Sequence, residues 1–168
     1  MITEYKIDKS DKLDDAIRDY LQNLEESPEI RLIHKDLDFP EFLQNKILVS
    51  RSIRKGFPFS LFEEIKSLIP FSETDWAKLF NISHKSLQRY KNEKDFYFKP
   101  IHTEKIIEIA EVAILGNEIF DSSKKFEKWL NTPSLALGNL PPLDLLMDSY
   151  GKELVMAELN RIDHGIFV

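Results

Sequence analysis

The 168-residue chain contains no cysteine and only five glycines. Without cysteine there is no disulfide framework, no thiolate zinc site and no cysteine nucleophile. The first residues, Met1-Ile2-Thr3-Glu4-Tyr5-Lys6, lack the apolar core of a signal peptide. The longest uncharged stretch, Trp129 to Leu143, carries three prolines and a glycine and is too short to span a bilayer. These absences predict a soluble, intracellular (cytoplasmic) chain with no membrane partner. His34, His84, His102 and His164 are scattered without metal-ligand spacing, so no metal site is expected. There is also no glycine-rich phosphate loop and no nucleophile elbow. No cofactor is implied, and no polar constellation suggests an enzyme.

What remains is enough for a core. A chain of this length can bury about two-thirds of its unfolded surface, and 42% of its residues are hydrophobic. The formal charge is −6, with 23 Lys+Arg against 29 Asp+Glu. That total argues weakly against a nucleic-acid partner, but the charge is unevenly spread. Residues 1–50 carry −5, residues 51–100 carry +4 and residues 101–168 carry −5. Within the basic third, His84 to Lys91 holds Lys85, Arg89 and Lys91 and no acid. Such a run is equally compatible with a solvated helix face.

Strand-like alternation is scarce; Ile30-Arg31-Leu32-Ile33-His34 could form one short strand. Elsewhere the period is helical, and the fold class is all-α. Leu13, Ile17, Tyr20, Leu21 and Leu24 share one face. A helix is expected from about Glu41 to Lys55, stopped by Gly56. Another is expected near Ser60, with Ser60 and Glu63 as a capping box. Ser72 and Asp75 can cap a further helix, with Phe71 and Trp76 in the two hydrophobic staple positions. This helix should end near Phe80. Ser83 can cap the next, with Ile82 and Leu87 in staple positions.

Two short capped helices joined by a tight turn make a helix-turn-helix. In the second of them Leu87, and also Tyr90, can face inward. That leaves His84, Lys85, Ser86, Gln88, Arg89 and Lys91 as candidate DNA-binding residues. Arg and Gln can read base edges bidentately, while Lys and Ser bond phosphates. Helical hairpins that touch no DNA share the local pattern. A recognition helix reads an operator best from a two-fold dimer, so self-association is expected.

Downstream, a helix over about Thr103–Phe120 is apolar around so much of its circumference that it must be central. Gly116 is a tolerated residue near its end. A helix over about Ser122–Asn131 presents Phe126, Trp129 and Leu130. Pro142 suits the first turn of a helix carrying Leu143, Leu146 and Met147, with Asp144 as a first-turn carboxylate. After Gly151 a last helix is expected to place Leu154, Val155, Leu159 and Ile162 on one face.

The order Trp129-Leu130-Asn131-Thr132-Pro133, Leu137-Gly138, Pro142-Leu143-Asp144-Leu145-Leu146, Gly151, Val155, Leu159, Ile162 and Gly165-Ile166-Phe167 resembles the toxin-binding domain of Xre/MbcA/ParS-type antitoxins. Upstream, Gly56 and the helix-turn-helix resemble the Xre-like region of the same antitoxins. The resemblance divides the chain into an N-terminal extension (1–40), an Xre-like helix-turn-helix domain (41–120) and a small helical toxin-binding domain (121–168). It implies a type II antitoxin that binds a RES-domain toxin, an NAD-degrading protein, covers its active site and represses its own promoter at operator DNA. It also implies no catalysis by the chain itself. Two departures stand out. Where the family reads R-T-L-x-R-R, this chain has Lys85-Ser86-Leu87-Gln88-Arg89-Tyr90. The usual Gly-Gly is Gly138-Asn139, and Asn also tolerates left-handed backbone.

Within the toxin-binding part, Trp129, Leu130, Leu143, Leu146 and Leu159 are expected in the core, and Gly138, Gly151 and Gly165 at backbone turns. The tail either folds back or anchors the partner. On the second reading, Arg161, His164, Gly165, Ile166, Phe167 and Val168 are the candidate toxin-binding residues. The alternative from another class is a stand-alone helix-turn-helix transcriptional regulator. A small helical enzyme is a third.

Overall fold

The computed structural model describes the backbone of residues 2–24 and 36–165, and side chains from residue 11 onward within those spans. The strand expected at Ile30–His34 and the tail residues Ile166, Phe167 and Val168 lie outside the described residues. Among the described residues the secondary structure is helical, with two isolated β-bridges and no strand. No helix there is long and apolar enough to cross a membrane. The chain packs as two compact units: residues 1–67 with 90–107, and residues 68–89 with 108–168.

In the first unit, α1 (Ile2–Leu24) buries Leu13, Ile17, Tyr20 and Leu21, four residues of the stripe expected from the sequence. It packs against α2 (Phe39–Gln44), α3 (Lys46–Lys55) and α4 (Phe59–Lys66). The single helix expected over Glu41–Lys55 is in fact two. Asn45 adopts an extended conformation and its side chain accepts the Leu48 N–H at 3.2 Å, ending α2 and capping α3. A short amide that bonds the local backbone competes with helix continuation, and here it wins.

The expected Ser60–Glu63 box is also absent. The helix starts at Phe59 behind Pro58, with no side-chain cap, so Ser60 sits inside the first turn. Tertiary pairing sets this start. Pro58 bridges Tyr97, the Phe98 N–H donates to Phe57 O at 2.8 Å, and the Phe59 N–H donates to Phe96 O at 3.3 Å. The aromatic rings follow the backbone: Phe59, Phe62, Phe96 and Phe98 form a mutual cluster with centroids 5.0–6.5 Å apart. Gly56 ends α3 as expected. Its φ is +89°, and a Cβ there would stand 2.2 Å from Phe98 O, so this junction admits only glycine.

The second unit contains α5 (Glu73–Leu79), the start of α6 (His84–Asn92), α7 (Pro100–Ile119) from Glu108 onward, α8 (Ser123–Leu130), a 3-10 turn (Leu135–Leu137), α9 (Pro142–Leu145) and α10 (Ser149–Asp163). α7 is as apolar as the sequence predicts. Ile109, Ala110, Val112 and Ala113 are fully buried in this unit, joined by Trp76, Phe126, Leu130, Leu146, Val155 and Leu159. Gly116 is more than tolerated: a Cβ there would lie 2.1 Å from Cζ of Phe126, so the far edge of the ring occupies the space a side chain would need.

Candidate functional site

The helix-turn-helix is built from local chemistry. Ser72 Oγ accepts the Asp75 N–H at 3.1 Å, and the Ser72 N–H donates to the Asp75 carboxylate at 2.8 Å. This reciprocal box starts α5, and the staple pair Phe71 and Trp76 closes over it with ring centroids 5.8 Å apart. At the other end the Ile82 N–H reaches back to Ala77 O at 3.0 Å, with Asn81 left-handed at φ +53°. Asparagine thus fills a turn position usually given to glycine. Ser83 Oγ then accepts the Ser86 N–H at 3.0 Å and starts α6, whose Leu87 is buried.

Of the six candidate DNA-binding residues, His84, Lys85, Arg89 and Lys91 are exposed, and Ser86 and Gln88 are half-buried. Several are engaged within the chain. Glu73, the first residue of α5, lies 3.2 Å from His84 Nε2 and accepts a hydrogen bond from the Gln88 amide. Ser86 Oγ is 2.9 Å from Ser83 Oγ, and Lys91 pairs with Glu63 at 3.2 Å. Lys85 and Arg89 are exposed cations of the same helix. Glu73 is not among the residues expected from the sequence; the only signal for it was its place at the start of α5, the helix before α6. Tyr90, where the family has arginine, stacks on Phe96 with centroids 4.2 Å apart at 14°. The departure is a packing substitution: the residue faces its own hydrophobic cluster.

The toxin-binding part is equally local in origin. Ser134 and Leu140 pair across a loop in which Gly138 (φ +69°) and Asn139 (φ +61°) are both left-handed, so Asn139 does serve the turn. Pro142 occupies the first turn of α9, and Asp144 in that turn also receives Lys78 Nζ at 3.0 Å. α10 begins at Ser149, capped by Asp148, and not after Gly151. Gly151 is no turn residue. It lies in the first turn of α10, where a Cβ would stand 1.9 Å from Leu145 O.

Leu130, Leu146 and Leu159 are in the core as expected, whereas Trp129 and Leu143 are only half-buried. Leu154, expected on the buried face with Val155 and Leu159, is instead 52% exposed. It lies one residue away from Val155 and so about 100° around the helix.

At the end of α10, Arg161 is paired with Glu158 at 2.8 Å. His164 Nδ1 sits 2.7 Å from Asn160 O, and Gly165 turns left-handed at φ +67°. These three are brought to one helix end; Ile166, Phe167 and Val168 lie outside the described residues. No group of His, Cys, Asp or Glu able to hold a metal ion is found among the described residues.

Residues 49–111 match the family described as the antitoxin Xre-like helix-turn-helix domain, and residues 115–165 match the antitoxin Xre/MbcA/ParS C-terminal toxin-binding domain. The chain is 27% identical over 117 residues to the antitoxin Xre of Yersinia enterocolitica, covering 69% of this chain and 78% of that protein. Its fold is similar to a chain in the crystal structure of the M. tuberculosis MbcT–MbcA toxin–antitoxin complex, with a TM-score of 0.50 and 18% identity over 64% of this chain and 94% of that one. With both of its domains matched in order, and with the turns and caps that those motifs require in place, this chain belongs to the Xre/MbcA/ParS-type antitoxins and is the helix-turn-helix antitoxin of a toxin–antitoxin system.

Proposed function

We propose that this antitoxin neutralises a RES-type, NAD-degrading toxin by covering its active site, and that its helix-turn-helix represses its own operon. Residues 121–168 serve the toxin, residues 41–120 serve operator DNA, and the chain acts by contact without catalysis. The observation that carries the toxin arm is the end of α10. There Arg161, His164 and Gly165 stand at the exposed end of a toxin-binding domain, immediately before the apolar Ile166-Phe167-Val168.

A site that holds a dinucleotide needs cationic groups for its phosphates. The −5 charge over residues 101–168 is suited to meet those groups at the mouth of the cleft. The complex between MbcT and MbcA of M. tuberculosis supports the pairing of such an antitoxin with a toxin. For the operator arm, Lys85 and Arg89 on the exposed face of α6 are suited to phosphate and base contacts, presented by a homodimer.

Co-expression with the neighbouring gene tests this reading. Growth rescue and co-purification are the expected result. A neighbour that is neither toxic nor bound refutes it in favour of a stand-alone regulator. Deleting residues 166–168 should weaken neutralisation while leaving the helical circular-dichroism signal intact.

A further inference from the structure

The first unit holds a cavity of about 690 Å³, within the range of roughly 300–1,000 Å³ that accommodates small organic ligands. Three elements wall it. From α1 come Ala16, Asp19, Tyr20 and Asn23, which recur at i, i+3, i+4 and i+7 and so share one helical face. The first turns of α4 bring Phe59, Glu63 and Glu64, and the segment after α6 brings Glu93, Asp95 and Phe96. Every lining residue lies outside the toxin-binding match at 115–165.

The charge on these walls is one-sided. Asp19, Glu63, Glu64, Glu93 and Asp95 line the cavity, against a single cation, Lys91. Lys91 is itself paired with Glu63 at 3.2 Å. Asp19, Glu64, Glu93 and Asp95 have no ion pair among the described residues. Lys94, between two of them in sequence, does not line the cavity.

Aromatic rings supply the apolar part. Tyr20, Phe59, Phe96 and Tyr97 all reach the cavity. The faces of such rings attract cations. Tyr97 already shows this, with Lys55 Nζ 5.9 Å above its ring.

This combination selects among ligands. Carboxylate walls repel anions, nucleic acid included. A compact metal ion needs several oxygens converging on one point. No group of His, Cys, Asp or Glu able to hold a metal is found among the described residues, so the carboxylates are spread along the walls. A ligand whose positive charges are set apart by apolar spacers matches both features. Its ammonium groups meet carboxylates of different walls, and its methylenes lie along the rings.

We infer that the cavity between α1, α4 and the segment after α6 is a binding site for a linear aliphatic polyamine. Asp19, Glu64, Glu93 and Asp95 hold its ammonium groups, and Phe59 and Phe96 take its chain. The site is independent of the toxin and operator readings, and it gives the N-terminal α1 a ligand-binding role. A ligand bound here joins α1 to the rest of its unit and stabilises the folded chain by mass action.

The test is titration calorimetry of the full-length chain with spermidine at constant ionic strength, with thermal unfolding alongside. Spermidine should bind saturably at one site and raise Tm. Ethylamine, with one charge, should bind at least roughly tenfold more weakly, because it cannot engage two walls at once. Asp19→Asn/Asp95→Asn should weaken spermidine binding roughly five- to tenfold, the loss of two solvent-exposed ion pairs. Both side chains are exposed, and asparagine tolerates the left-handed backbone of position 95 (φ +57°), so Tm without ligand should not change. Glu93→Gln, on an exposed side chain, serves as the second variant should the double substitution disturb folding.

No saturable binding of spermidine at millimolar concentration overturns the proposal. Equal affinity of the variants and the wild type overturns it too, since spermidine then binds elsewhere. Equal affinity for ethylamine removes the spanning geometry, and displacement of spermidine by an equal concentration of Mg²⁺ reduces the effect to diffuse charge screening. A lysine-rich peptide that binds more tightly than spermidine overturns it in favour of a protein partner.

Discussion

Gly116 of α7 lies under the ring of Phe126 of α8, so close that a Cβ at position 116 would stand 2.1 Å from the ring's Cζ. Helix propensity alone favours Ala over Gly by about 1 kcal/mol. The ring is fully buried and stacks on Phe120 at 5.5 Å and Trp129 at 6.2 Å, so it has nowhere to retreat. Overpacking at such a site costs roughly 1–3 kcal/mol and outweighs the propensity gain. Gly116→Ala should lower the urea midpoint without changing the m-value, and a raised midpoint would contradict the packing argument.

Tyr20 makes stability sensitive to high pH. Its hydroxyl donates to Gly56 O at 3.0 Å, and burial pushes its pKa from 10.0 up to about 12. The unfolded chain releases this proton near pH 10 while the folded chain keeps it. The associated stability is therefore complete below pH 10 and is lost as pH rises through about 12, amounting to roughly 2–3 kcal/mol. Tyr20→Phe should cost about 1 kcal/mol at pH 7, through the lost hydrogen bond. Its deficit should shrink or reverse between pH 10 and 12. A constant difference between the two proteins across urea titrations at pH 7, 10 and 11 would exclude this origin.

Lys85→Ala combined with Arg89→Ala should weaken binding to DNA from the chain's own upstream region. Both side chains are exposed, so stability should change by less than about 0.5 kcal/mol. The slope of log affinity against log salt should fall by about 0.9 for each true phosphate contact removed. Fluorescence anisotropy over a salt series measures both. A wild type that binds nothing at low salt with toxin present would remove the operator arm altogether.

Glu73→Gln replaces the carboxylate that engages His84 and Gln88 with a neutral acceptor. If this face meets DNA as proposed, removing a negative charge beside Lys85 and Arg89 should tighten DNA binding several-fold at low salt, with the gain fading as salt rises. Loss of an acidic first-turn residue should cost about 0.3–1 kcal/mol of stability. Equal affinity of variant and wild type at every salt concentration would mean that DNA does not approach this end of α6.

Features governed by a few neighbouring residues were legible without coordinates. The Ser72–Asp75 box, the Ser83 cap, the Phe71–Trp76 staple and Pro142 at the start of α9 each depend on groups within four or five positions. The left-handed Gly138-Asn139 pair and the C-terminal Gly56 of α3 are likewise written in local backbone preference. Asn45 acts locally too, yet helical periodicity runs through it from Glu41 to Lys55, and only the folded chain shows that its side chain caps α3.

The amino-acid sequence by itself determined that the chain is all-α, that it carries a helix-turn-helix, and that its C-terminal part follows the pattern of a toxin-binding domain. Helical period and capping chemistry act over one or two turns and need no knowledge of what packs where. Tertiary structure decided the rest. Pro58 starts α4 because residues 96–98 pair with it. Gly116 and Gly151 are required by Phe126 and by Leu145 O, groups brought near by chain packing. Leu154 is left in solvent because Val155 and Leu159 set the rotation of α10 against the core, and a stripe of apolar residues cannot state which of its members a neighbouring element will cover.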